Sequence, residues 1–200
     1  VQAARMAPGQ IATLILPADT AWNEGGVVAA PLPVPPPSQV APGTVHEVAN
    51  VLRSGEPALL MLGGAALRAG PQILAYRVAT ATGARLLAQW SNARIERGRG
   101  RPALERLAYV VDQALRQLAG VRHLILVGAR DPVAFFAYPS KPGRLAPRDC
   151  TVHVLARPEQ DIAEALAHLA NELGASEVPI PDLGPRPQIA RGAISPEAVA

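Results

Sequence analysis

Residues 56–68, EPALLMLGGAALR, decide how this chain is read. Positions 58–62 form an unbroken apolar run, too short for an ordinary helix, which stops at Gly63-Gly64 before apolar residues resume at helical spacing. A run of that kind reads as a parallel strand buried on both faces that turns into a helix at the glycines. The same grammar returns at 124–128, LILVG. Two strand-then-glycine corners on either side of a helical middle predict a Rossmann-like α/β unit, a parallel sheet with helices on both faces.

The elements around these corners follow from period and punctuation. Thr44, three residues before Glu47, reads as the N-cap of a capping box whose helix buries Val45, Val48, Ala49 and Leu52. After the first corner a helix is expected over about 66–81, with Leu67, Gly70, Leu74 and Val78 as its stripe and Pro71 as a kink or its true start. Gly83 closes it, and 84–88 gives the next strand. Residues 104–119 read as an amphipathic helix aligning Leu107, Val111, Leu115 and Leu118, which feeds the strand at 123–127. A turn-rich run over 131–149 leads to a fourth strand at 151–155, and Pro158 is expected to open a last helix to about 173.

Upstream, residues 11–16 make a further apolar strand that ends at Pro17. A strand that apolar needs neighbours, and none is in sight before Val1, so this sequence reads as a piece of a longer protein. Pro31, Pro33, Pro35, Pro36, Pro37 and Pro42 then make a polyproline-type tether. The prolines scattered after 174 make a second linker.

Composition narrows the function classes. Half of the 200 residues are apolar (49%), which excludes a disordered chain, and no apolar stretch has the length of a membrane span. Nothing resembles a secretion signal, so a cytoplasmic home is expected. The net charge of +3 rests almost wholly on arginine, Lys141 being the sole lysine. The densest basic stretch, 94–106, lacks interleaved aromatics and contains Gly98 and Gly100, so it reads as a mobile solvated loop rather than a nucleic-acid grip. Cys150, the single cysteine, allows no internal disulfide and reads as a buried structural thiol.

No Ser, His and Asp set or carboxylate pair can be assembled, so no catalytic residue and no metal ligand is assigned. His123 and His153 fall on neighbouring strands and are expected to approach one another as structural histidines. Asp19, after Pro17-Ala18, reads as a turn cap. The binding candidates are Gly63, Gly64 and Gly128, where small residues let a ligand approach the backbone; neither corner completes a G-x-G-x-x-G fingerprint. The competing role for these glycines is simply to permit tight strand-to-helix turns.

The ordered blocks LILPADTAWNE, the proline-rich connector, EPALLMLGG, ATGARLLAQW, GRGRPALERLAY and LILVGARDPVAFFAYP resemble thiamine diphosphate-dependent enzymes of the acetolactate synthase large-subunit group. That resemblance implies three α/β domains in the parent and assigns 1–24 to the end of a pyrimidine-binding domain, 25–44 to a linker and 45–174 to the central domain. Residues 175–200 would then lead towards a diphosphate-binding domain. It implies thiamine diphosphate and Mg2+ bound by the flanking domains, a homo-oligomer, and a parent that decarboxylates a 2-keto acid and passes the product to an acceptor. This sequence contains no GDG motif of the kind that holds the diphosphate, so the chain alone is expected to be inactive.

In acetolactate synthases proper the central domain carries FAD against its glycine corners, with an arginine after a G-A-R corner. Gly128-Ala129-Arg130 matches that pattern and adds Arg130 to the candidate cofactor site. The segments Asp131-Pro132-Val133-Ala134 and His153-Val154-Leu155-Ala156 depart from the polar and acidic runs expected there. Related benzoylformate-type decarboxylases keep this domain empty, and the FFAYP segment at 135–139 suits that branch. The alternative outside this group is a free-standing nucleotide- or flavin-binding module of the electron-transfer flavoprotein or deacetylase kind.

Overall fold

The computed structural model describes residues 1–180 and, beyond them, 192, 194 and 195; most of the expected second linker lies outside the described residues. Its centre is a four-stranded sheet of β1 (Ala58–Leu62), β2 (Arg85–Ala88), β3 (His123–Val127) and β4 (Thr151–Ala156) in the order β2-β1-β3-β4. Every pairing is parallel, as the two apolar runs predict, with Leu60 opposite both Leu86 and Ile125. All five residues of β1 are buried because the sheet is covered on both faces.

One face carries Leu60, Leu62, Ile125 and Val127 against three helices, α3 (Pro42–Arg53), α4 (Ala69–Thr82) and α6 (Ile162–Glu172). The other carries Leu59, Met61, Leu124 and Leu126 against α5 (Val111–Leu118) and the segment that holds Leu145, Ala146 and Cys150. Burying each of these leucines stabilises the fold by roughly 1.5–3 kcal/mol. The period-2 alternation of β1 and β3 thus sends equal apolar loads to both layers.

Several element ends differ from the expectation. Helix α3 starts at Pro42, with Ala41 at the cap position and no side-chain cap, so Thr44 is not an N-cap; proline presets the first turn and lengthens the helix backwards. Its buried side is Val45, Val48, Ala49 and Leu52, as the spacing predicts. After β1 the chain makes a 3-10 turn over Gly64–Leu67, leaves helical geometry at Arg68, and only then enters α4, whose first turn contains Pro71. The buried residues of α4 are Gln72, Ala75, Val78 and Ala79, with Leu74 partly buried, so the stripe is rotated from the predicted one.

Helix α5 is half its predicted length. Residues 104–110 instead run beside the end of β2, where the Ala88 N–H donates to Glu105 O and the Leu107 N–H to Ala88 O, both at 2.8 Å. Gln117 fixes this segment from α5 by accepting from the Ala108 N–H at 2.8 Å. The period of Leu107, Val111 and Leu118 is real, yet Leu107 reaches the same core from an extended backbone. Helix α6 likewise begins later than Pro158 implied, because Asp161 caps it by accepting from the Glu164 N–H at 3.0 Å.

Two short helices, α1 (Gln2–Arg5) and α2 (Ala18–Trp22), precede the domain. Between them residues 11–16, expected as a strand, form no ladder among the described residues, and Ile11 and Leu14 are 95% and 85% exposed. Strand propensity alone does not make a strand; it needs an edge to pair with. Asp19 sits in the first turn of α2 and accepts from the Thr20 N–H at 2.9 Å, a local turn contact as expected.

Replacing Asp161 by Ala should lower the stability of the domain by about 1 kcal/mol, the value of a helix cap. Chemical denaturation with an unchanged m-value is the check; no loss of midpoint would show that the cap is not stabilising α6.

Candidate functional site

The chain runs from β1 outward to β2, then returns across β1 to β3, so the strand order reverses between β1 and β3. Ligands of open parallel sheets bind outside the carboxyl ends of the strands at such a reversal. A cavity of about 440 Å³ lies there, lined by Met61, Gly64, Gln89, Gly128 and Arg130 among others. Three of the four sequence candidates, Gly64, Gly128 and Arg130, therefore meet at one crevice, and Gly63 lies beneath it, fully enclosed.

The glycines do more than permit turns. A Cβ on Gly63 would sit 2.5 Å from Gly128 O and 2.9 Å from the Gln89 carboxamide carbon, and a Cβ on Gly128 would sit 2.5 Å from Ile162 Cδ1. The two corners press backbone to backbone, with the Gly63 N–H donating to Val127 O at 3.0 Å, while the Gly128 N–H donates to Ala156 O at the end of β4 at 2.8 Å. Gly128 also has φ +61°, a conformation that side chains resist.

Trp90, which lines the crevice, joins it to an aromatic cluster. It stands edge-on to Tyr109 and Phe135, with centroids 5.6 and 5.3 Å apart, and Phe135 meets Phe136 at 4.6 Å. Phe135 and Phe136 stay more than half exposed. The aromatic run was visible in the sequence; its assembly with Trp90 and Tyr109, which lie tens of residues earlier, was not. Asp131, beside Arg130, lines the crevice and is paired to Arg144 at 3.0 Å.

The basic stretch 94–106 is organised around Glu96. Its carboxylate accepts from the Ala69 N–H at 2.8 Å and has Arg94, Arg68 and Arg101 guanidinium nitrogens at 3.4, 3.8 and 3.9 Å. Gln72, the one buried polar side chain among the described residues, donates from Nε2 to Leu67 O at 2.6 Å and to Glu96 O at 2.9 Å. The loop is thereby tied at Glu96 to α4 and the 3-10 turn, and Arg94 and Arg101 from the stretch, with Arg68, neutralise that carboxylate. Sequence reasoning missed Gln72 because a polar residue on a helix is ordinarily solvated.

At the opposite end of the sheet, His123 and His153 approach as expected, Nδ1 to Nε2 at 3.1 Å, while His123 Nε2 meets Glu56 Oε2 at 2.7 Å. A carboxylate only accepts, so His123 Nε2 carries a proton and its Nδ1 accepts from His153 Nε2–H when both rings are neutral. The hydrogen bond from His123 holds the Glu56 carboxyl below the usual range. Burial, then the neighbouring His123, push His153 below its ordinary value of 6.5. Burial raises the Cys150 thiol, in keeping with a structural cysteine. Among the described residues no three His, Cys, Asp or Glu side chains converge as a metal site.

The fold and the crevice define a parallel α/β domain with the outline of a ligand site where its strand order reverses. Its architecture matches that of a Mycobacterium smegmatis protein described as a thiamin diphosphate-dependent enzyme (TM-score 0.63, 19% identity, 94% of this chain and 39% of that one). It also matches the Rhodococcus jostii thiamine diphosphate-dependent 4-hydroxybenzoylformate decarboxylase (TM-score 0.55, 20% identity, 88% of this chain and 35% of that one). In sequence, the chain is 48% identical over 198 residues to a Mycobacterium tuberculosis protein named as an acetolactate synthase large subunit, IlvX, across 99% of its own length. It spans 38% of that relative's length. No family model matches the chain. The chain is thus similar along nearly its whole length to part of a protein named as an acetolactate synthase large subunit, and it shares its fold with parts of two thiamine diphosphate-dependent enzymes.

Two measurements follow from this geometry. Gly63→Ala should cost about 1–3 kcal/mol through overpacking, whereas Gly70→Ala, in open space on α4, should be neutral or stabilising by up to about 1 kcal/mol. Equal thermal shifts for the two would show that the corner is not tightly closed. Because His153 is kept neutral, the unfolded chain takes up a proton more readily; stability should be full above pH 6.5 and decline as pH falls below it. A His153→Gln variant should flatten that limb in denaturation series, and an unchanged slope would count against the pair.

Proposed function

We propose that this chain is the central domain of an acetolactate synthase-like, thiamine diphosphate-dependent enzyme, placed between a pyrimidine-binding and a diphosphate-binding domain. The observation that carries this reading is 48% identity along 198 residues to a relative of which the chain matches only 38%. The parent would decarboxylate a 2-keto acid and ligate the product to an acceptor, with thiamine diphosphate and Mg2+ supplied by the flanking domains. Bound there, thiamine diphosphate supplies the electron sink for carbon–carbon cleavage. The residues of this chain hold the flanking domains at a fixed spacing and take no part in bond making. A cytoplasmic, oligomeric assembly accords with this reading.

The first 24 residues fit the end of the pyrimidine-binding domain. Ile11, Leu14, Ile15 and Leu16 are a strand-like apolar run that lies exposed, the pattern expected of a strand whose partners belong to another domain. The proline-dense stretch beyond them serves as the tether, and 45–174 as the domain proper.

A second reading, a free-standing flavin or nucleotide module, draws on the 440 Å³ crevice at the strand-order reversal with Gly63, Gly64, Gly128 and Arg130 around it. The fit of FAD is poor, however. The Arg130 N–H, which would face a phosphate, is already bonded to Gln89, and the two glycine corners are closed on each other.

A chimera in which this chain replaces the matching segment of the M. tuberculosis relative separates the readings. It should fold and bind thiamine diphosphate as the unaltered relative does, followed by quenching of protein fluorescence, while the isolated chain binds none. A folded chimera that loses the cofactor, or an isolated chain that binds it, would overturn the central-domain assignment.

A further inference from the structure

Gln89 lies just past β2, yet its side chain acts on the far side of β1. Its backbone is anchored by donation from its own N–H to Leu62 O at 2.9 Å. From there the carboxamide crosses above Gly63: Oε1 accepts from the Arg130 N–H at 3.2 Å and Nε2 donates to Ser91 O at 3.0 Å. The enclosed Gly63 is what leaves room for it, since a Cβ at that position would sit 2.9 Å from the carboxamide carbon. The side chain therefore bridges the ends of three strands at the point where ligands of such sheets bind.

The consequence is electrostatic. A phosphate at a strand-to-helix corner is held by main-chain N–H groups that have no other partner. Here the Gly63 N–H is taken by Val127, the Gly128 N–H by Ala156, and the Arg130 N–H by Gln89, while the Gly64 N–H at the rim makes no hydrogen bond among the described residues. The first two are bonds of the sheet itself. The third is made by a side chain, and it is the one that a substitution can release. Asp131 adds a carboxylate at the same mouth.

We propose that Gln89 is a built-in plug that mimics an anionic ligand at the Arg130 amide and so excludes the phosphates of nucleotides and dinucleotides from this crevice. The inference rests on the central-domain reading only in supplying a reason to keep nucleotides out of the crevice; the plug is a property of this chain's own residues. It also leaves a glycine corner of nucleotide outline with one main-chain donor fewer to offer a phosphate. Gly63 serves as the floor beneath a side chain rather than as a platform for a ligand.

The test uses this chain with ADP and FAD as probes, titrated by calorimetry. The wild type and Gln89→Glu, which keeps an acceptor on the Arg130 amide and adds a charge, should show no saturable binding. Gln89→Ala should bind ADP at least about tenfold more tightly than either, the worth of one released hydrogen bond. Wild-type binding as tight as that of Gln89→Ala would overturn the proposal, and so would a folded Gln89→Ala that gains nothing. Should that variant fail to fold, hydrogen exchange decides on the wild type. A protected Arg130 amide that Gln89→Ser exposes is the expected result, and an unprotected one in the wild type overturns the plug. Flavin uptake by the wild type would remove the plug and leave the central-domain reading standing, since the chimera tests that reading through thiamine diphosphate alone.

Discussion

The contact on which the domain depends is the backbone approach of Gly63 to Gly128 at the carboxyl ends of β1 and β3. The strands are parallel neighbours in register from Ala58 opposite His123 to Leu62 opposite Val127, and both chains must then leave the sheet. With no side chain at either corner, the ladder continues one residue further through the Gly63 N–H and Val127 O. That lets Ile162 at the start of α6 pack directly against Gly128. Interiors packed to crystal density transmit such a constraint, so the position of α6 between α3 and α4 follows from two absent Cβ atoms.

Around that contact the polar groups are spent on holding segments together. Gln72 and Glu96 tie the arginine-rich loop to the first turn of α4, Gln117 ties residues 106–108 to α5, and Gln89 ties the end of β2 to the end of β3. Each is a side-chain bond to main chain, the ordinary way for a buried or half-buried segment outside a ladder to satisfy its backbone. The result is a domain whose carboxyl edge has the outline of a ligand site and the hydrogen-bond ledger of a packed one.

How far the sequence could be read depended on whether a signal was local. The apolar run of β1, its counterpart in β3, the burial of Val45, Val48, Ala49 and Leu52, and the left-handed stop at Gly83 were all legible because period and glycine chemistry act within a few residues. The helix over 104–119 was misread because Leu107 keeps a helical spacing while its backbone pairs with Ala88. Thr44 was misread because Pro42 starts the turn first. At the candidate site, Gly64, Gly128 and Arg130 were found from motif pattern, but Gln89 and the Trp90, Tyr109 and Phe135 cluster were not. Their partners are separated by tens of residues, and no pattern in the sequence marks them.

The sequence by itself determined the layers: which short runs are buried strands, where they stop, and that parallel neighbours must be covered on both faces. It also carried the resemblance to thiamine diphosphate-dependent enzymes, in the order of several blocks rather than in any single motif. Only the tertiary structure showed what packs against the glycine corners. Whether a residue without a side chain makes room for a ligand or for another part of the same chain is a question of which atoms arrive there, and those atoms come from Gln89, Ile162 and the opposing corner.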